Sequence, residues 1–166
     1  MMKIIEDEII APVLKAMEKE NALYTGVLHA GIMLTPTGPR VIEFNCRFGD
    51  PETQVLLPLL KSDLLEGILA AVENRMDQWT PEFHDGAAAC VVLASGGYPG
   101  AYEKNKEIHN LPPVAAATAS ENRLFVWHAG TRMEGNRIYS AGGRVLNVVG
   151  QSRDLASALG LAYAAA

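Results

Sequence analysis

The chain has 166 residues, 49% hydrophobic and 20% charged, with a formal net charge of −5. That length holds one domain or two small ones, and the acidic balance excludes a general nucleic-acid surface, which needs a basic stripe. No apolar run approaches the roughly 20 residues of a membrane span, and the acidic start Met1-Met2-Lys3-Ile4-Ile5-Glu6-Asp7-Glu8 is unlike a signal peptide.

Taken in chain order, residues 3–20 read as an amphipathic helix, with Ile4, Ile5, Ile9, Val13 and Met17 near helical spacing and Pro12 predicting a kink or break near Ile10. Tyr24 to Thr35 reads as a strand, Pro36-Thr37-Gly38-Pro39 as a turn and Arg40 to Asn45 as the returning strand of an antiparallel hairpin. Asp50-Pro51-Glu52 reads as a helix start, with Asp capping and Pro in the first helical position. That helix would turn Val55, Leu56, Leu59 and Leu60 inward, with Pro58 an irregularity. Ser62-Asp63 opens a further helix to about Arg75, with Asp63 and Glu66 at capping-box spacing and Leu64, Leu65, Ile68, Leu69 and Val72 as its apolar stripe.

After Trp79-Thr80-Pro81 the composition changes, which predicts a division into residues 1–80 and 81–166. Ala87 to Ala94 is a buried-strand candidate, and Ser95-Gly96-Gly97-Tyr98-Pro99-Gly100 a loop. Phe125 to Ala129 and Arg137 to Tyr139 are short strands around a turn at Glu134-Gly135-Asn136, and Arg144 to Val149 is another strand. From Ser152 the tail is an Ala-rich helix; its end at Ala166 without a Gly or Pro stop reads as a truncation. Cys46 and Cys90 lack any CxxC or Cys/His metal spacing, so reduced thiols and a cytoplasmic location are expected.

Chemistry concentrates in Val41-Ile42-Glu43-Phe44-Asn45-Cys46-Arg47-Phe48-Gly49-Asp50-Pro51-Glu52. Glu43, Asn45 and Arg47 sit at i, i+2 and i+4, so in an extended chain they project from one face. Two readings of that face stand open. One is the polar side of an exposed strand. The other is a Mg²⁺–nucleotide site: Mg²⁺ takes few protein oxygens and fills its shell with water and phosphate, and Arg47 would stabilise charge on a transferring phosphoryl group. Gly49 to Glu52 is most plainly a helix cap, and a helix start is also a ready anion site. The glycine loop at 96–100 lacks a phosphate-binding signature, so a tight turn is the plainer reading. His128 reads as a hydrogen-bonded core residue, Gly142-Gly143 as a close backbone approach, and Lys104, Lys106 and Arg132 as solvated charges.

The segment from Glu43 to Glu52 closely resembles the metal-binding segment of phosphoribosylamine–glycine ligases, ATP-grasp enzymes of de novo purine synthesis. Tyr24-Thr25-Gly26-Val27-Leu28 with Ala30-Gly31, Leu59 to Leu64, Ser95 to Gly100, His128-Ala129-Gly130-Thr131 and Gly142 to Val148 resemble further family segments in order. The resemblance implies an α+β (α/β) chain: the C-terminal half of an ATP-grasp domain, antiparallel strands with flanking helices, followed by a small mixed β domain. It implies ATP and Mg²⁺ or Mn²⁺ as cofactors, with glycine and 5-phosphoribosylamine as small-molecule substrates. Glu43 and Asn45 would hold the metal against ATP, Arg47 would neutralise the phosphoryl group, and Gly49 and Asp50 would line the substrate side. Arg47 and Asp50 are thus the catalytic candidates.

The same resemblance marks departures. The family's N-terminal domain and the first part of the ATP-grasp lie outside this chain, as does a final strand, so a C-terminal fragment, inactive alone and prone to self-association through apolar surface, is expected. His29 stands where Tyr is common and Asn105 where Gly is expected; Asn tolerates left-handed geometry best after Gly. A non-catalytic module with the same fold is the alternative. Another ATP-grasp ligase is the third reading, disfavoured by the Arg47 to Glu52 continuation.

Overall fold

The computed structural model describes residues 1–111 and 122–166. The N-terminal helix runs as α1 (Met2–Ile5), a π-helical turn (Glu6–Ile10) and α2 (Ala11–Lys19). The irregularity predicted from Pro12 is therefore a π-turn and not a break. Ala11 donates its N–H to the carbonyl of Glu6, five residues back. The wider turn lets the chain enter α2 with Pro12 in its first turn, where the missing N–H costs least.

The predicted first strand is shorter than its composition implies. Strand β1 spans His29–Thr35 and β2 Gly38–Asn45. Residues 24–28 form a loop, because Gly26 has φ of 147° and the Tyr24 hydroxyl donates to the Val27 carbonyl at 2.7 Å. Burial, and then the neighbouring Cys46, raises the pKa of that phenol. At the tip of the hairpin the Thr35 hydroxyl donates to the Gly38 carbonyl at 2.7 Å, and Gly38 takes φ of 108°. The ladder slips once: Gly31 pairs with Glu43 but Ile32 pairs with Val41, so Ile42 is an extra residue in β2.

Two predicted helices differ in detail. Helix α3 spans Thr53–Leu59, starting after the cis Asp50-Pro51 bond, with Glu52 and not Asp50 at its N-cap. The Asp50 carboxylate accepts from Gln54 Nε2 and from Arg144 instead, so it is not free to cap. Leu56, expected inward, is exposed, while Leu57 is half-buried. Helix α4 spans Leu64–Val72, and Asp63 caps it by accepting from the Leu65 N–H at 2.8 Å. Its buried residues are Gly67 and Ala70. Of the predicted apolar stripe, Leu65, Ile68, Leu69 and Val72 are exposed and Leu64 is half-buried. The cause is Trp79, whose ring lies where a Gly67 Cβ would sit, 2.7 Å from Trp79 Cζ2. The indole covers the small-residue side and leaves the large side chains uncovered.

The remaining strands are β3 (Ala87–Ala94), β4 (Glu107–Ile108), β5 (Arg123–His128), β6 (Thr131–Glu134), β7 (Arg137–Ser140) and β8 (Arg144–Ser152), followed by helix α5 (Leu155–Ala165). They make two antiparallel sheets, ordered β3-β8-β5 and β4-β7-β6. Strand β8 is the spine: Val145, Leu146, Val148 and Val149 are buried, and α5 adds Ala158 and Ala162. Gly150 lets the helix approach, since a Cβ there would meet the Ala158 carbonyl and lie 3.0 Å from Ala162 N. Gly142 and Gly143 mark the close approaches read from the sequence, against Gly130 Cα at 3.0 Å and the Tyr98 ring. Asn105 does adopt left-handed geometry, with φ of 65°. His128 departs from the core reading: it is exposed, with Nδ1 3.0 Å from the Thr131 hydroxyl.

The fold is thus α+β, helices with antiparallel sheets, as expected. It comprises two compact units: residues 1–49 with 63–81, and residues 50–62 with 82–166. Among the described residues no helix is long and apolar enough to cross a membrane.

Candidate functional site

The end of β2 gathers three of the predicted site residues. Asn45 is the last residue of the strand and Glu43 lies two before it. Asn45 Nδ2 donates to Glu43 Oε1 at 2.9 Å, and Arg47 Nη2 approaches Asn45 Oδ1 at 3.5 Å. A second guanidinium nitrogen, Arg47 Nη1, donates to the Phe48 carbonyl at 2.8 Å. The partner strand shapes the arrangement. The Ile42 bulge ends the regular alternation just before Glu43, and Gly31 opposite leaves room: a Cβ there would lie 3.2 Å from Glu43 Cγ. Glu43 and Arg47 are exposed and Asn45 is half-buried, so the carboxylate and the guanidinium are open to a ligand.

As a donor set, this is one carboxylate and one amide oxygen, both hard ligands. Among the described residues no cluster of three His, Cys, Asp or Glu side chains could hold a metal ion by itself. Glu43 and Asn45 could each contribute one oxygen to a divalent cation that completes its shell with water and phosphate oxygens, the habit of Mg²⁺. Opposite Asn45 stands His29, with a buried Nδ1 that has no hydrogen-bond partner. The sequence flagged His29 as unusual but gave no sign of this orphaned nitrogen.

Gly49 is buried in the first unit, and Asp50 belongs to the second. Arg144 clamps Asp50 twice, with Nη2 3.0 Å from its Oδ2 and Nη1 2.7 Å from its carbonyl oxygen. Gln54 Nε2 adds a bond at 2.8 Å to Oδ1. Beside them burial pushes up the Cys90 thiol, and the Asp50 carboxylate adds to the effect. The Asp50–Arg144 pair went unseen in the sequence because its members lie 94 residues apart; the Gly142-Gly143-Arg144 segment was its one available sign.

Residues 1–53 match the family model of the phosphoribosylglycinamide synthetase ATP-grasp (A) domain, and residues 88–166 that of the same synthetase's C domain. The chain belongs to the phosphoribosylglycinamide synthetase family. Across 159 residues it is 47% identical to the phosphoribosylamine–glycine ligase of Caldanaerobacter subterraneus subsp. tengcongensis, covering 96% of this chain and 36% of that protein. The ligase of the same name from Synechocystis is 45% identical over 161 residues, covering 96% of this chain and 37% of the relative. The crystal structure of phosphoribosylamine–glycine ligase from Thermotoga maritima superposes with a TM-score of 0.82 at 34% identity, covering 99% of this chain and 39% of that one. The chain thus spans little more than a third of the length of these family members.

Proposed function

We propose that this chain supplies the metal-and-phosphate strand and the C-terminal domain of a phosphoribosylamine–glycine ligase in purine biosynthesis, acting in the cytoplasm. The reaction couples two steps. A glycine carboxylate oxygen attacks the γ-phosphorus of ATP, giving glycyl phosphate and ADP. The amine of 5-phosphoribosylamine then attacks the acyl carbon, phosphate leaves, and glycinamide ribonucleotide forms with loss of a proton. The hydrogen-bonded set Glu43–Asn45–Arg47 carries this reading.

Each residue has a chemical task. Glu43 and Asn45 hold a divalent ion, Mg²⁺ or Mn²⁺, which when bound neutralises phosphate charge. Arg47 offers its guanidinium to the transferring phosphoryl group, where a fixed cation lowers the barrier. Gly49 and Asp50 line the side of glycine and phosphoribosylamine, and Arg144 holds the Asp50 carboxylate in place. The division near residue 80 is carried as the boundary between the ATP-grasp portion and the C-terminal domain. The exposed apolar side chains of the hairpin and α4 support self-association of the chain when it is alone.

The test is turnover of glycine, phosphoribosylamine and ATP with Mg²⁺ or Mn²⁺, by the chain alone and mixed with the N-terminal portion of a related ligase. Activity is expected in the mixture. Glu43→Ala should abolish it, and Arg47→Ala should lower kcat by roughly 10²–10³-fold. A mixture that forms a stable complex, binds no ATP and turns nothing over would identify a non-catalytic module.

A further inference from the structure

The second unit contains a cleft of about 330 Å³ whose walls include His84, Asp85, Arg123, Gln151 and Arg153. Its base is built by a close backbone approach. Gly86, with φ of 110°, lies against the Ser152 carbonyl, and a Cβ at this position would be 3.5 Å from Arg153 Cα. Gln151 is on the central strand β8, and its cross-strand neighbours are Ala88 of β3 and Arg123 of β5. Directly paired residues share a face, so the Gln151 and Arg123 side chains start side by side.

Gln151 is the telling residue. Only 7% of it is exposed, yet its Oε1 is buried with no hydrogen-bond partner. A buried amide left unsatisfied is costly, and such groups are normally bonded to protein, water or ligand. Arg123 has no ion pair among the described residues, whereas Arg153 spends its Nε on Asp154 at 3.2 Å. Among the described residues the cleft therefore offers a guanidinium without an ion pair, a second one partly engaged, an imidazole, a carboxylate and an amide with unmet bonding capacity.

We propose that this cleft binds a small phosphate monoester that carries hydroxyl groups. The guanidinium fork of Arg123 matches phosphate oxygens bidentately. Gln151 Oε1 and the Asp85 carboxylate accept hydrogen bonds, which hydroxyl groups supply and a fully ionised phosphate does not. Asp85 repels phosphate from its own end, which orients the ligand. The volume sits at the small end of ligand pockets, about 300–1,000 Å³, and suits a three- to six-carbon metabolite. The inference uses none of the residues assigned to the ligase reaction, so either reading stands or falls without the other.

Titrating glycerol 3-phosphate into the 166-residue chain, followed by side-chain amide and guanidinium NMR signals and by calorimetry, tests this site. Saturable binding is expected, with the Gln151 amide shifting. Inorganic phosphate and glycerol should each bind at least about tenfold more weakly, since each loses one class of contact. Arg123→Gln, an exposed substitution, should weaken glycerol 3-phosphate by about tenfold or more and keeps the test decisive if Gln151→Met does not fold. Absence of saturable binding overturns the proposal, as does binding that Arg123→Gln leaves unchanged. Phosphate binding as tightly as glycerol 3-phosphate overturns the hydroxyl requirement.

Discussion

Cys46 lies between the paired Asn45 and Arg47, and its thiol is exposed; Cys90 is half-buried. Burial and then Asp50 push the Cys90 thiol upward, so it is protonated and poorly nucleophilic near neutrality. Iodoacetamide at neutral pH should therefore modify Cys46 well before Cys90, as read by peptide mass spectrometry. Equal labelling rates would show that Cys90 is more open than its position beside Asn147 allows. The residue scale is also where sequence reading did best on the site. Glu43 and Asn45 are two apart on β2, where period-two geometry sufficed to bring them together, while Arg47 lies in the bend just after the strand. It could not show the Ile42 bulge or the Gly31 gap that seat Glu43, because both depend on the partner strand.

At the scale of elements, helix α5 is set by its cap and by one glycine beneath it. Asp154 accepts from the Ser157 N–H at 2.8 Å. That backbone bond, the Ser157 hydroxyl and Arg153 hold the carboxyl below its ordinary value. A lowered folded pKa means the cap's contribution is present above the unfolded value, about 3.9 for Asp, and is lost as pH falls through the folded one. Helix content and melting temperature of the chain should drop as pH is lowered through that window, and Asp154→Asn should flatten the dependence. Gly150→Ala should destabilise the second unit by about 1–3 kcal/mol in urea unfolding, because the new Cβ meets the Ala158 backbone. A neutral result would mean that α5 can lift off β8 at little cost. Helix α4 teaches the opposite lesson to α5. Its capping Asp63 was legible, but its buried side was not, since the Trp79 ring lies over Gly67 rather than over the larger stripe.

At the scale of the whole molecule, the first unit leaves much apolar surface open. Met33, Leu34, Val41 and Ile42 on the hairpin and Leu65, Ile68, Leu69 and Val72 on α4 are all exposed. Exposed apolar surface, where it is contiguous, marks an interaction face or an aggregation hazard. Sedimentation of the isolated chain should show concentration-dependent association, reduced by Leu34→Lys with Ile42→Lys. A monomer at all concentrations in both forms would mean the exposed side chains do not act as a patch.

The sequence by itself determined the local events. These are the two-residue alternation of the hairpin, the Ala87–Ala94 strand, the Asp63 cap, the left-handed Asn105 and the ordered motifs that mark the family. All of them rest on interactions within a few residues or on a pattern kept in one segment. Only the tertiary structure decided which side of α4 is buried, how the Ile42 bulge seats Glu43, why Asp50 does not cap α3 and what Arg144 does. Each depends on a partner brought in from another part of the chain: Trp79 over Gly67, Glu43 across from Gly31, and Arg144 on Asp50, 94 residues away. The run from Glu43 to Asp50 names its own chemistry, but its side chains are positioned by neighbours that no local pattern contains.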